Sequence, residues 1–273
     1  MVYIYSKMES KILDNVFCVP FEHGQKKAGL KGGASNALSM FMISQEHAKY
    51  HSSIYPTSNT FKKSDYQKLF NVLVSKNKYV LIGGDHSVGH SSVASSMKKI
   101  ESEDLYVIWI DAHPDTNTYS SSMSKNHHGM PLAGLLGFEE SWVEIDNKLD
   151  TEHLLYYGIR DIDPFEKEMI EKYNIYNTRI YDELIEKIDN IIQNNKNATF
   201  HISWDVDSLD PKYLDSTGCP VEDGLTPDDI INIVNYLSDR IIALDIVEYN
   251  PSIGNAIKSN DTLKYIMSGW NFI

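Results

Sequence analysis

The sequence predicts an α/β fold of three layers, with a mainly parallel central sheet between two layers of helices. Two observations carry this prediction. Short, β-rich apolar runs alternate along the chain with stretches of helical period. Three of those runs also end in acidic and histidine side chains, at the strand ends where open α/β sheets bind their ligands. Val16-Phe-Cys-Val-Pro20 is the first strand run, and it leads into a glycine-rich loop from Gly24 to Gly33. Helical period follows over Ala34 to Met42 and Lys63 to Ser75. Tyr79 to Ile82 is a strand, Val88 to Ile100 a helix, and Leu105 to Ile110 a second fully apolar strand. Leu154 to Tyr157, Phe200 to Ser203 and Ile241 to Ile246 are three more strands. Between them lie helices over Pro164 to Tyr173, Tyr181 to Gln193 and Pro227 to Leu237. No repeat and no Pro/Gly/Ser-rich linker divides the chain, so residues 1–273 read as one domain.

With 42% hydrophobic residues, the 273-residue chain can bury a sizeable core. A formal charge of −13 argues against nucleic acid and anionic membranes as partners. Cys18 and Cys219 lie far apart, which gives no disulfide framework and points to a reducing compartment. No stretch approaches a membrane span. The apolar run in Met1-Val-Tyr-Ile-Tyr-Ser-Lys7 is too short for a signal peptide, and Glu9 and Asp14 disfavour a transit peptide. A cytoplasmic protein is expected.

The chemistry concentrates in Gly83-Gly-Asp-His-Ser87, Asp111-Ala-His-Pro-Asp115 and Ser203-Trp-Asp-Val-Asp207. If the strand continued, Asp111, His113 and Asp115 would share one face. Asp205 and Asp207 repeat the same spacing after another strand, and His86 adds a third strand end. An acid in such a place often caps the next helix. Six such residues at three strand ends point instead to a shared metal site. Four carboxylates and two imidazoles form a hard donor set that favours Mn²⁺ over structural Zn²⁺. Two divalent ions balance four negative charges, whereas one leaves buried carboxylates in repulsion. Ions about 3.5–4 Å apart can share a bridging hydroxide as nucleophile, so hydrolysis is the natural chemistry. The glycine loops lack both the phosphate-loop and the dinucleotide patterns. Ser87 reads as a supporting neighbour of His86 rather than a nucleophile.

These three segments resemble the ureohydrolase signatures, and those of the arginases in particular, with similarity from about Val16 to Gly254. The resemblance implies the arginase-like α/β/α fold and two Mn²⁺ per subunit. It places Asp111 and Asp205 between the ions, with His86 and Asp115 on one and His113 and Asp207 on the other. The stretch Asn117 to Gly129 is similar to the loop that holds an amino acid head group. By that match Asn117, Ser124 and Asn126 bind the substrate α-carboxylate, as neutral donors can. His128 matches the family's proton-relaying histidine, and Gly158-Ile-Arg-Asp-Ile-Asp-Pro164 resembles the segment that receives the α-ammonium. That role falls to Asp163, supported through water by Asp161 and Glu166, while Arg160 reads as structural. Glu248 stands where a carboxylate grips and aims the guanidinium. Neighbouring His127 fits no role and reads as a solvent-exposed bystander.

The implied reaction is hydrolysis of L-arginine to L-ornithine and urea by a homo-oligomer, a trimer before a hexamer. Agmatine or another guanidino acid is the alternative substrate, and an inactive ligand-binding or regulatory protein is the alternative class. Two departures from the arginase pattern bear on this. Cys219 replaces a threonine near the guanidinium, and Gly24-Gln-Lys-Lys-Ala-Gly29 carries lysine where arginine is usual. Longer family members also carry a C-terminal tail that joins subunits, which is not seen before Ile273.

Overall fold

A computed structural model describes residues 11–272. Eight strands form one sheet: β1 (Val16–Val19), β2 (Tyr50–Ser53), β3 (Tyr79–Gly83), β4 (Leu105–Ile110), β5 (Leu154–Tyr157), β6 (Tyr176–Thr178), β7 (Thr199–Asp205) and β8 (Ile241–Val247). The helices are α1 (Leu30–Ser44), α2 (Lys63–Leu73), α3 (Val88–Lys99), α4 (Pro131–Leu136), α5 (Pro164–Tyr173), α6 (Tyr181–Asn194), α7 (Pro227–Tyr236) and α8 (Ala256–Ser268). Every strand pairing is parallel, and the spatial order is β2-β1-β3-β8-β7-β4-β5-β6. The chain builds one edge, crosses over to build the other, and then lays β7 and β8 into the gap between β3 and β4. Four strand ends, those of β3, β8, β7 and β4, are thereby made neighbours at the centre of the sheet, where the strand order reverses.

Alternate residues of the central strands enter two separate cores. Val80, Ile82, Ile108 and Ile110 pack under α1, α6, α7 and α8. Tyr79, Leu81, Val107 and Trp109 pack under α2, α3 and α4. Both faces are apolar, which is why these runs lack the polar alternation of a half-exposed strand. Each fully buried aliphatic side chain contributes about 1.5–3 kcal/mol, so the layers hold the strand ends in place. Among the described residues no helix is long and apolar enough to cross a membrane.

Four elements lie outside the sequence-based expectations. β2 and β6 are edge strands whose residues are mostly exposed or half-buried, so no apolar run marks them. α4 is a single short apolar turn and a half, and α8 is a mixed-polarity helix that packs against α1 and α7. The glycine-rich segment is also shorter as a loop than expected, because α1 begins at Leu30.

Candidate active site

The turn after β3 needs Gly84, because a Cβ there would sit 1.8 Å from the Phe21 carbonyl oxygen. This close approach delivers His86 to the sheet centre, fully buried, with its ring stacked on Trp109 at 4.0 Å between centroids. His86 Nδ1 lies 2.9 Å from Asp111 Oδ2, 3.2 Å from Asp115 Oδ2 and 3.3 Å from Asp205 Oδ2. His113 Nδ1 lies 3.2 Å from Asp207 Oδ2 and 3.4 Å from the other oxygen of Asp111, Oδ1. Among the described residues two triplets could therefore each hold a metal ion, His86–Asp111–Asp115 and Asp111–His113–Asp207, and they share Asp111. Asp205 belongs to neither triplet, although its Oδ2 faces His86.

Strand alternation is not what gathers Asp111, His113 and Asp115, because β4 ends at Ile110. A tight turn does so instead, with Asp115 in the left-handed region at φ 54°. Glu248, just past β8, is left-handed as well, at φ 65°. For residues bearing a Cβ this conformation costs roughly 1–2 kcal/mol each. Such outliers cluster where a side chain must be aimed.

Asp111, Asp115, Asp205 and Asp207 are all at most 6% exposed. Burial, then repulsion from Asp111, pushes the Asp115 carboxyl up to about 7. Burial and the neighbouring carboxylates also raise Asp205 and Asp207. For Asp111 burial opposes ionisation, but hydrogen bonds from His113 and His86 outweigh it and hold the group low. A cluster of buried oxygens competing for protons is unfavourable unless cations take their place. The donor set and its charge fit divalent metal.

Beside this cluster, Glu248 Oε1 accepts from the His86 backbone N–H at 2.9 Å and lies 3.1 Å from His128 Nδ1. Its Oε2 accepts from Gln25 Nε2 at 2.6 Å. Burial works against a charged His128, but Glu248, Asp115 and Asp85 prevail and raise it to about 9. Gln25 was not anticipated as a site residue. It lies in a loop without periodicity, and only the Gly24–Gly29 pattern marks the segment.

A cavity of about 180 Å³ opens above the cluster. Its lining brings together His113, Asp115, Asp205, Asp207, His128 and Glu248 with Asn117, Ser124, Asp161, Asp163, Glu166 and Cys219. Ser122 lines it too and was not anticipated, whereas Asn126 does not line it. Asn126 instead donates its backbone N–H to Ser124 Oγ at 3.2 Å. Asn117 Nδ2 donates to Asp163 Oδ2 at 2.9 Å. Glu166 closes the first turn of α5, accepting from the N–H groups of Thr116 and Asp163. Burial and then Asp115 push Glu166 up to about 8. Asp161 is exposed, with Oδ2 3.6 Å from His113 Nε2. Burial likewise pushes the Cys219 thiol up to about 11, so it stays protonated near neutrality. Lys27 Nζ donates to the Gly218 carbonyl beside it.

Arg160 spends its guanidinium on backbone carbonyls, among them those of Gly158, Asp207, Ser208 and Val221, and thereby staples the ligand turn. His127 is no solvent-exposed bystander: it is half-buried and stacks on Phe61 at 3.7 Å. Ser87 supports Asp85 and accepts or donates to Tyr66 at 2.6 Å, rather than touching the His86 ring.

The arginase family model matches residues 16–268. The arginase of Plasmodium berghei is 39% identical over 215 residues, 73% of this chain and 60% of that protein. That of Plasmodium falciparum is 37% identical over 217 residues, 72% of this chain and 51% of that protein. The chain thus spans 51–60% of the length of these two relatives. Among solved structures, Entamoeba histolytica arginase in complex with L-ornithine superposes with a TM-score of 0.82 at 27% identity, covering 94% of this chain and 97% of that one. Bacillus caldovelox arginase gives 0.83 at 25% identity, over 95% and 98% of the two chains. Given the family match over nearly the whole chain, the three-layer parallel fold and the strand-end cluster, the chain belongs to the arginase family.

Proposed function

We propose that this chain is a manganese-dependent arginase that hydrolyses the guanidinium of L-arginine to L-ornithine and urea. One observation carries the reading: Asp111 turns its two oxygens to separate His–Asp groups directly beneath a cavity lined by Asn117, Ser124, Asp163 and Glu248. His86 and Asp115 would hold one Mn²⁺ and His113 and Asp207 the other, with Asp111 and Asp205 between them. When bound, such a pair supplies water activated for attack near neutral pH.

The rest is the work of the chain's own groups. Glu248 is anchored by the His86 N–H and grips the guanidinium through charge-assisted hydrogen bonds, aiming its central carbon at the cluster. Asn117, Ser124 and Asn126 receive the α-carboxylate, Asn126 through a shift of its loop or through water. Asp163 takes the α-ammonium, with Asp161 and Glu166 behind it, and Cys219 faces the guanidinium. The water oxygen bonds to the guanidinium carbon and the bond from that carbon to the ornithine nitrogen breaks; of the water's two protons one passes by way of Asp115 to that nitrogen, and the other leaves to solvent, from which His128 is reprotonated. His128, held protonated by Glu248, donates its proton to the departing nitrogen. The Entamoeba histolytica relative was solved with L-ornithine, the product this reading requires. A cytoplasmic homotrimer completes the proposal.

The test is urea release by Mn²⁺-loaded protein from L-arginine and from agmatine. Faster release from arginine is expected. Faster release from agmatine overturns the arginase reading, and ornithine binding without turnover of any guanidine overturns the enzymatic one.

A further inference from the structure

Asp245 lies in the middle of β8, fully buried between the sheet and α3, and takes no part in the reaction proposed above. Three donor groups converge on its carboxylate. Ser92 Oγ donates to Oδ1 at 2.6 Å, while His201 Nε2 at 2.9 Å and Ser203 Oγ at 3.0 Å reach Oδ2. All three partners are themselves fully buried. Ser203 faces Asp245 in strand register, and its hydroxyl oxygen also lies 3.0 Å from His86 Nε2. A serine hydroxyl has one hydrogen to give. Given to Asp245, it leaves the oxygen able only to accept from His86, so Nε2 must carry a hydrogen. The opposite ring nitrogen, Nδ1, is the one aimed at Asp111, Asp115 and Asp205.

We propose that Asp245 is a positioning residue for the metal centre: through Ser203 it fixes the hydrogen on His86 Nε2 and reserves Nδ1 for the cation. Stacking on Trp109 sets the plane of the ring, and this relay sets its edge and its tautomer. His201 and Ser92 hold the carboxylate itself, and Ser96 Oγ, 2.8 Å from His201 Nδ1, steadies His201 in turn.

The inference rests on the two-ion reading, and the experiment separates the two. Mn²⁺ is titrated into wild type, Asp245→Ala and Ser203→Ala, with electron paramagnetic resonance reporting whether bound ions are isolated or spin-coupled. Wild type is expected to bind two coupled ions. Each variant is expected to keep one ion with the six-line spectrum of isolated Mn²⁺ and to bind the second about 10–100-fold more weakly. Ser203→Thr, which restores the hydroxyl, is expected to restore the coupled pair. Should Asp245→Ala fail to fold, the two Ser203 variants decide. Coupled ions at wild-type affinity in the alanine variants overturn the inference, and so does loss of both ions together, which marks a general structural role. Wild type that holds fewer than two ions overturns the two-ion reading instead, and the inference falls with it.

Discussion

The floor and the rim of the cavity are held by different kinds of contact. On the floor, His86, Asp111, Asp205 and Glu248 leave the ends of four adjacent buried strands, and their contacts join residues far apart in sequence. On the rim, the loop bearing Asn117 and Ser124 ties itself together locally. Ser121 donates to Asn117 Oδ1 at 3.0 Å, Ser121 and Thr118 exchange hydrogen bonds, and Ser122 Oγ lies 3.3 Å from Ser124 Oγ. Floor positions are therefore fixed by the packing of the whole sheet, which can hold unfavourable charge and strained backbone in place. Rim positions are fixed mostly by neutral hydrogen bonds within the loop, with Asn117 also donating to the Asp163 carboxylate, and a ligand can exchange these one for one. Catalytic charge can be stored only where the fold resists relaxing around it.

The most severe way to break this contrast is to remove charge from the floor. Asp205→Asn keeps the acceptor for the Asp207 N–H, 2.8 Å away, while removing a carboxylate that burial and its neighbours disfavour. Loss of metal and a fall in kcat of roughly 10³-fold or more are expected. Without metal the sign reverses: the variant should melt higher than wild type, because one repulsive charge is gone. Calorimetry with and without Mn²⁺ checks both halves, and a lower melting point for the metal-free variant contradicts the stored-charge argument. His128→Ala probes the boundary between floor and rim. His128 lies outside both ligand triplets, so metal content should hold while turnover falls about 10²-fold. Loss of metal would place His128 with the floor.

A gentler probe is pH. In the metal-free protein Asp85 is raised to about 6 by burial and then Glu248, Glu166 to about 8 by burial and then Asp115, and His128 to about 9 by Glu248 and Asp115 against the opposing effect of burial. All three lie above their unfolded values, so the folded state binds more protons than the unfolded chain between roughly pH 5 and 9. Their contribution is present on the acid side and is lost as pH rises through 6 to 9. The melting temperature should fall on the order of 5 °C between pH 6 and 9. Mn²⁺ loading should oppose that slope, since the ligands must shed protons to bind. A metal-free protein that gains stability over this range refutes the assignment.

The same division explains what could be read from the residues alone. The central strands are legible because burial on both faces makes them continuous apolar runs, and each run stops at chemically conspicuous side chains. β2 and β6 have no second face to bury and leave no such trace. Alternation along an extended β4 was the wrong reason for grouping Asp111, His113 and Asp115, since a left-handed turn at Asp115 brings them together and sequence period does not encode it. Gln25 and Asp245 act through partners distant in sequence, so their contacts with Glu248 and Ser203 emerge only once the strands are laid side by side, whereas Ser122 bonds within its own loop, whose place over the cavity no sequence period encodes. Nothing adjacent in sequence marks His127 as packed, because its stacking partner, Phe61, lies in a different loop.

The smallest expected effect sharpens the contrast from the rim side, at Cys219. Its thiol lines the cavity, is half-buried and remains protonated, so to the guanidinium of the proposed substrate it would be a weak neutral donor and acceptor. Lys27 ties down the adjoining Gly218 carbonyl, which holds this loop against the segment bearing Gln25 and thus against Glu248. A threonine hydroxyl at the same place is a stronger partner at nearly the same volume. One neutral hydrogen bond of ordinary net strength is worth about 0.5–1.5 kcal/mol, so Cys219→Thr should raise kcat/KM for L-arginine by roughly 2–10-fold. If the rim acts only by exchanging hydrogen bonds, the gain should appear in KM, with metal content and melting temperature unchanged. If instead it appears in kcat alone, the hydroxyl acts on the reacting carbon, and position 219 belongs functionally to the floor although a loop carries it. No change in either constant would mean that the thiol, though in the cavity wall, does not meet the substrate.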